Sequence, residues 1–133
     1  MEKREYVEGR RVLSHVDLRV RDRKRARAFY DAILKPLALG RSDGEGEWVS
    51  YDAIPGVPAY ATEWIGFTED PGMTPSLTRI AFHAETKEEV DAVAAAARAA
   101  GAKDVEGPEE IYGYYAAFFA DPDGNKLEVC FLP

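Results

Sequence analysis

His15-Val16-Asp17-Leu18-Arg19-Val20 leads into a helix pattern containing Arg27-Ala28-Phe29-Tyr30, and half a chain later Arg79-Ile80-Ala81-Phe82-His83-Ala84 leads into a second one, an offset of 64 residues (79 minus 15). In both stretches apolar and polar residues largely alternate, the period of a half-buried strand. The echo predicts two copies of one strand-helix unit. It also predicts that polar side chains from both copies face one shared cavity.

The first helix is marked by Asp22 as N-cap and by Ala26, Phe29, Tyr30, Ile33, Leu34 and Leu37, whose three-four spacing makes one buried face. It is expected to end near Pro36, because a residue preceding proline is pushed out of helical geometry. The second opens on Thr86 with Glu89 three residues later, a capping box, and buries Val90, Val93, Ala94 and Ala97. Gly101 stands where a left-handed cap would end it. After the first helix, strands are expected over 38–42, 47–53 and 60–67; after the second, over 102–105, 114–120 and 126–132. Asp121-Pro122-Asp123-Gly124 carries the residue preferences of a type I turn, and Thr68 to Ser76, with two prolines and a glycine, is the expected connector between halves.

A chain of 133 residues suits one domain and can bury a real core. With 46% hydrophobic and 31% charged residues, neither disorder nor a membrane class is indicated, and no apolar run is long enough to span a bilayer. The charged leader, residues 1–11, lacks the apolar stretch of a secretory signal, so a cytoplasmic protein is expected. Cys130 is the single cysteine, which excludes an internal disulfide and a thiolate metal cage. A net charge of −7 disfavours nucleic acid.

His15 to Val20, Arg27 to Tyr30, Arg79 to Phe82, Ala100-Gly101-Ala102 and Tyr114 to Phe118 running into Asp121-Pro122-Asp123-Gly124-Asn125-Lys126-Leu127-Glu128-Val129 together resemble the vicinal oxygen chelate superfamily, which includes glyoxalase I, bleomycin-resistance proteins, fosfomycin-modifying enzymes and extradiol dioxygenases. The resemblance covers nearly everything from Leu13 onward. It implies an α+β fold in which two βαβββ modules, over 12–68 and 77–133 of one domain (12–133), form a cupped, half-open barrel with helices outside. It also implies a homodimer, and a small-molecule or metal site inside the cup.

Within such a cup, strand alternation turns His15, Asp17 and Arg19 inward from the first strand, Arg79, Ala81 and His83 from the fifth, and Lys126, Glu128 and Cys130 from the last. Superposing the half-repeat sets Glu63 opposite Glu128, and a slip of one residue would substitute Thr62 or Trp64. The resemblance implies metal ligands from a histidine in the first strand, a histidine opening the fifth and a glutamate in the last, with a fourth in some members from the fourth strand. His15 and Glu128 match, but Arg79 holds the second histidine position, and a guanidinium offers a cation no lone pair. His83 lies four residues along the same face, roughly 13 Å away at about 3.3 Å per residue.

Two readings follow from these residues. In one, the protein binds a small aromatic or cationic molecule without a complete metal triad, as bleomycin-resistance proteins do; Arg79 pairs with Glu128 or clamps an anionic group, and Tyr114, Trp64 and Glu63 line the ligand site. In the other it is a divalent-metal enzyme, a lyase (lactoylglutathione lyase-like), isomerase or dioxygenase using zinc, nickel, manganese or iron. Glu128 is then ligand or catalytic base, His15 a ligand, and His83, Glu63 or water completes the sphere. Each residue also has a structural reading: either histidine can be a hydrogen-bonded strand residue, Arg79 with Glu128 a scaffold ion pair, and Cys130 a small packed side chain. Trp48, Tyr51, Tyr60, Trp64, Tyr112 and Tyr114 are enough to supply both core and a stacking pocket.

Overall fold

A computed structural model describes residues 12–43, 48–52 and 62–133. The chain runs β1 (His15–Val20), α1 (Arg23–Leu34), a 3₁₀ turn (Lys35–Leu37), β2 (Gly40–Asp43), β3 (Val49–Asp52), β4 (Trp64–Glu69), then β5 (Arg79–His83), α2 (Lys87–Ala99), β6 (Lys103–Ile111), β7 (Tyr114–Ala120) and β8 (Lys126–Phe131). These are two βαβββ modules. Each forms a mixed four-stranded sheet, ordered β1-β4-β3-β2 and β5-β8-β7-β6, and the pair makes an α+β cup that does not close into a barrel. The leader, residues 1–11, and parts of the strands expected over 47–53 and 60–67 lie outside the described residues.

Both caps form as the sequence dictates. The Asp22 side chain accepts a hydrogen bond from the Arg25 amide, and Thr86 Oγ1 accepts one from the Glu89 amide, so each satisfies an N-terminal donor left orphaned by its helix. Gly101 takes φ +88°, the left-handed conformation a helix end favours. The α-helix ends at Leu34, near Pro36 as expected, although Lys35 before the proline keeps helical geometry (φ −57°, ψ −45°) and Pro36 sits in the first positions of the 3₁₀ turn, where its missing N–H costs nothing. The turn ends at Ala38 in left-handed geometry, so β2 begins at Gly40 and not at residue 38.

β6 is the other departure, nine residues where a short strand over 102–105 was expected. Pro108 and the acidic positions Asp104, Glu106, Glu109 and Glu110 hide it from a propensity reading. They are tolerated because β6 is an edge strand, paired only with β7 and with register shifts along its length.

One hydrophobic cluster spans both modules. Phe29, Tyr30, Ile33 and Leu34 from α1, Val90, Val93, Ala94 and Ala97 from α2, and Ile65, Phe67, Phe119, Leu127 and Val129 from the sheets all belong to it. The alanines of α2 let it lie close, as their spacing predicts. At about 25 cal/mol per Å² of apolar area, burial of this cluster is the main stabilising term.

A second, polar joint fastens the modules. The turn after β7 folds its charged residues inward: Asp121, fully buried, accepts hydrogen bonds from the Tyr30 hydroxyl (2.7 Å), the amides of Asp123 and Asn125 (2.9 Å each) and Asn125 Nδ2 (2.9 Å). Asp123, also buried, receives the Arg21 amide at 3.1 Å and pairs with the guanidinium of Arg25. Asn125 Nδ2 also donates to the Arg19 carbonyl at 3.0 Å. The second module thereby grips the end of β1 and the start of α1.

Candidate functional site

Alternation holds on the strands that build the cup. Val20, Phe82, Leu127 and Val129 are buried and Val16, Leu18 and Ile80 pack partly against them, while His15, Asp17, Arg19, Arg79, Ala81 and His83 are exposed on the opposite face. Lys126, Glu128 and Cys130 alternate with Leu127 and Val129 and so share that face.

Strand pairing fixes which residues of the two modules are equivalent. His15 pairs with Trp64 in the parallel β1–β4 ladder, and Arg79, its counterpart, pairs with Lys126 in the β5–β8 ladder. Trp64 therefore corresponds to Lys126, and the residue corresponding to Glu128 is Gly66, not Glu63. The expectation for Glu63 fails because it needs an offset of 65 (128 minus 63), whereas the offset is 64 for the first strands and the two N-caps and 62 (126 minus 64) for the last strands. Glu63 instead stands one residue before β4.

The first half-site is aromatic. The His15 ring stacks on Trp64 at 4.0 Å with 3° between planes, and Trp48 meets Trp64 edge-on at 4.8 Å. Ser14 Oγ lies 3.0 Å from His15 Nδ1. Gly66 makes this packing possible: a Cβ there would fall 2.8 Å from the Val49 carbonyl oxygen and 3.2 Å from both Trp48 Nε1 and Trp64 Cζ3. Gly66→Ala is expected to destabilise the fold by about 1–3 kcal/mol, because backbone must move to admit a single methyl. Urea unfolding checks this, and an unchanged midpoint would contradict it.

The second half-site is polar. The Arg79 guanidinium lies 4.8 Å over the Phe118 ring, and it does not close the expected ion pair with Glu128; no hydrogen bond or ion pair of Arg79 is found among the described residues. Burial pushes the Glu128 carboxyl above its usual value, against the opposing pull of Arg79 and of a hydrogen bond from the Cys130 thiol. Burial and the adjacent Glu128 push that thiol upward too, away from thiolate chemistry. Tyr114 is raised by desolvation and then by the negative charge of Glu128.

Between the modules lies a cavity of about 510 Å³. His15, Glu63 and Trp64 line it from the first module and Ala81 and His83 from the second, and Val16, Ile65, Ile80 and Phe82 add apolar surface to the lining. Four expected site residues thus meet at one cavity, His15, Glu63, Trp64 and His83, whereas Arg79, Glu128 and Tyr114 cluster on the sheet of the second module and are not part of its lining. Trp48 was foreseen only as one of several aromatics. Its role depends on Gly66, whose only signal in the sequence is a glycine inside an apolar strand.

The donor set does not suit the metal that the resemblance implies. Its positions fall on His15, Gly66, Arg79 and Glu128, of which glycine and arginine donate no lone pair. Among the described residues no three histidine, cysteine, aspartate or glutamate side chains gather to hold an ion, so His15, His83 and Glu128 do not form a ligand set here. No helix among them is long and apolar enough to cross a membrane.

No functionally curated protein matches the chain. Among solved structures, a glyoxalase/bleomycin resistance protein from Albidiferax ferrireducens T118 is similar at 30% identity and TM-score 0.78, over 92% of this chain and 100% of that one. A glyoxalase/bleomycin resistance protein/dioxygenase family enzyme from Burkholderia phytofirmans PsJN aligns over 90% of this chain and 98% of that one, at 23% identity and TM-score 0.70. The fosfomycin resistance protein FosX from Listeria monocytogenes shares the fold at 21% identity and TM-score 0.66, over 96% of each chain. A family profile matches residues 12–129, and the chain belongs to the glyoxalase/bleomycin resistance protein/dioxygenase superfamily.

Proposed function

We propose that the protein binds a small organic molecule in the cup between its modules and does so without the superfamily's complete metal triad. The observation that carries this reading is the pair of replacements at equivalent positions. In the first module the place matching Glu128 is Gly66, covered by indoles; in the second the place matching His15 is Arg79, laid over Phe118. Both exchanges remove a donor and install aromatic surface, and flat rings with a few polar groups suit an organic ligand. The cavity between the modules is of the size such ligands occupy. The alternative, a metal-dependent lyase, isomerase or dioxygenase, is favoured only by His15 and Glu128 at the two remaining ligand positions.

The test is thermal stabilisation across a panel of small aromatic compounds, with and without nickel, zinc, manganese or iron(II). Ligands at about 100 times their Kd are expected to add roughly 2.7 kcal/mol of stability without metal, and Trp64→Ala to remove most of it while leaving the protein folded. Stabilisation that requires a divalent ion would overturn the reading.

The protein also self-associates under this proposal, because β1, β2, β5 and β6 are sheet edges and exposed edges call for cover. Light scattering after gel filtration is expected to give twice the 14.8 kDa chain mass; a monomer at micromolar concentration would refute it.

A further inference from the structure

We infer that Arg79 and Lys126 form an anion-recognition point on the cup face of the second module, and that the ligand they select carries a single carboxylate. The inference rests on the metal-free reading above and deepens it by naming the ligand class.

The first argument is the state of the arginine. The chain is acidic, with 24 aspartates and glutamates against 17 lysines and arginines, so guanidinium groups find carboxylates easily. Arg19 pairs with Asp17, Arg21 and Arg25 with Asp123, and Arg41 with Asp31. Arg79 pairs with none among the described residues, although Glu128 is near enough to feel its charge. Phe118 holds it instead by its ring face, which attracts a cation but leaves the N–H donors at the guanidinium edge unspent.

The second argument is independent. Arg79 and Lys126 are direct partners in the β5–β8 ladder and alternation puts both on the cup face. Like charges directly opposite each other in a sheet repel, and such a pair is an expense unless an anion bridges it. Trp64 and His15, the matching pair in the other module, are instead a stacked aromatic couple.

A carboxylate fits this point better than a phosphate. It is planar and matches the guanidinium fork with two parallel hydrogen bonds, with the lysine as a point charge beside it. A dianion would bring more negative charge against Glu128, two residues along the same strand face from Lys126. Phe118 is a positioning residue in this account: it fixes the plane of the guanidinium, and the guanidinium fixes the carboxylate.

The experiment is an NMR titration of the full chain with benzoate, phenylacetate and 3-phenylpropionate, beside their primary amides and inorganic phosphate. At least one carboxylate is expected to saturate shifts at Arg79, Phe118 and Lys126 and to bind about tenfold or more tightly than its amide, the scale of a charge-assisted pair. Arg79→Gln should abolish that preference and Lys126→Gln reduce it. Phe118→Leu should weaken carboxylate but not amide binding, and Phe118→Tyr should restore it. Equal binding of acids and amides, equal binding of phosphate, or an unchanged preference in Arg79→Gln would overturn the inference while leaving cup binding intact. Failure of every compound, amides included, to shift any cup residue would overturn the proposed function itself.

Discussion

Asp121→Ala is expected to destabilise the protein by about 3–5 kcal/mol, the cost of removing one partner from a buried charged network. The melting temperature should fall by roughly 10–20 °C, since each kcal/mol moves a domain of this size by several degrees. The cause is the number of donors stranded: the Tyr30 hydroxyl, the amides of Asp123 and Asn125, and one hydrogen bond of the Asn125 side chain all end on this carboxylate. Tyr30→Phe removes only one of these bonds and should cost about 1–2 kcal/mol. It should also change the alkaline limb of stability. Burial first, and Asp121 second, raise the Tyr30 phenol well above its usual value of 10.0. The folded state therefore binds that proton more tightly than the unfolded chain, and this contribution is complete below about pH 10 and lost as pH rises beyond it. Urea unfolding of both variants from pH 7 to 11 measures all of this. A loss below 1 kcal/mol for Asp121→Ala would show that the joint between the modules is apolar alone.

The same residues show how far the sequence can be read. Asp121-Pro122-Asp123-Gly124 is legible as a turn, because turn preferences are local and the four residues are adjacent. Its grip on Arg21, Arg25 and Tyr30 is not, because those partners lie 91 or more residues away and nothing local marks them. The helices were readable to their caps, since Asp22 and Thr86 each act on an amide three residues on. Cup-facing positions on β1, β5 and β8 followed from alternation, which needs only the strand's own register. The counterpart of Glu128 did not, because equivalence between the modules accumulates every length difference in the loops, and a shift of three residues moves it from Glu63 to Gly66. Arg79 offers no lone pair by its own chemistry, but the ion pair with Glu128 that its position suggests does not form among the described residues. Phe118, two strands away in the sheet, competes for the guanidinium, and a ring face has no signature in sequence.

Arg79→His is expected to give the protein an affinity for nickel or zinc that the wild type lacks, with a gain of at least about 100-fold in Kd, or about 2.7 kcal/mol, for one added imidazole at a prepared position. The expectation rests on backbone equivalence. Residue 79 stands to β8 as His15 stands to β4, at the first rung of a parallel ladder, so the substitution restores the imidazole that the fold's internal symmetry places there. His15 and Glu128 would supply the other donors, and the replacement also frees Glu128 from the charge that now lowers its proton affinity. Gly66 limits the gain to three protein ligands, and adding a carboxylate there would displace the Val49 carbonyl and both indoles. Isothermal titration at two protein concentrations, with Glu128→Ala in the same background as control, reads the result. Concentration-independent binding lost with Glu128 means that the two half-sites of one chain converge on a common sphere. Binding that strengthens with protein concentration means that the sphere is assembled from two copies, each contributing one half. If the variant binds no better than the wild type, the aromatic packing around Trp48, Trp64 and Phe118 has moved the half-sites too far apart for any single exchange to rebuild the metal centre.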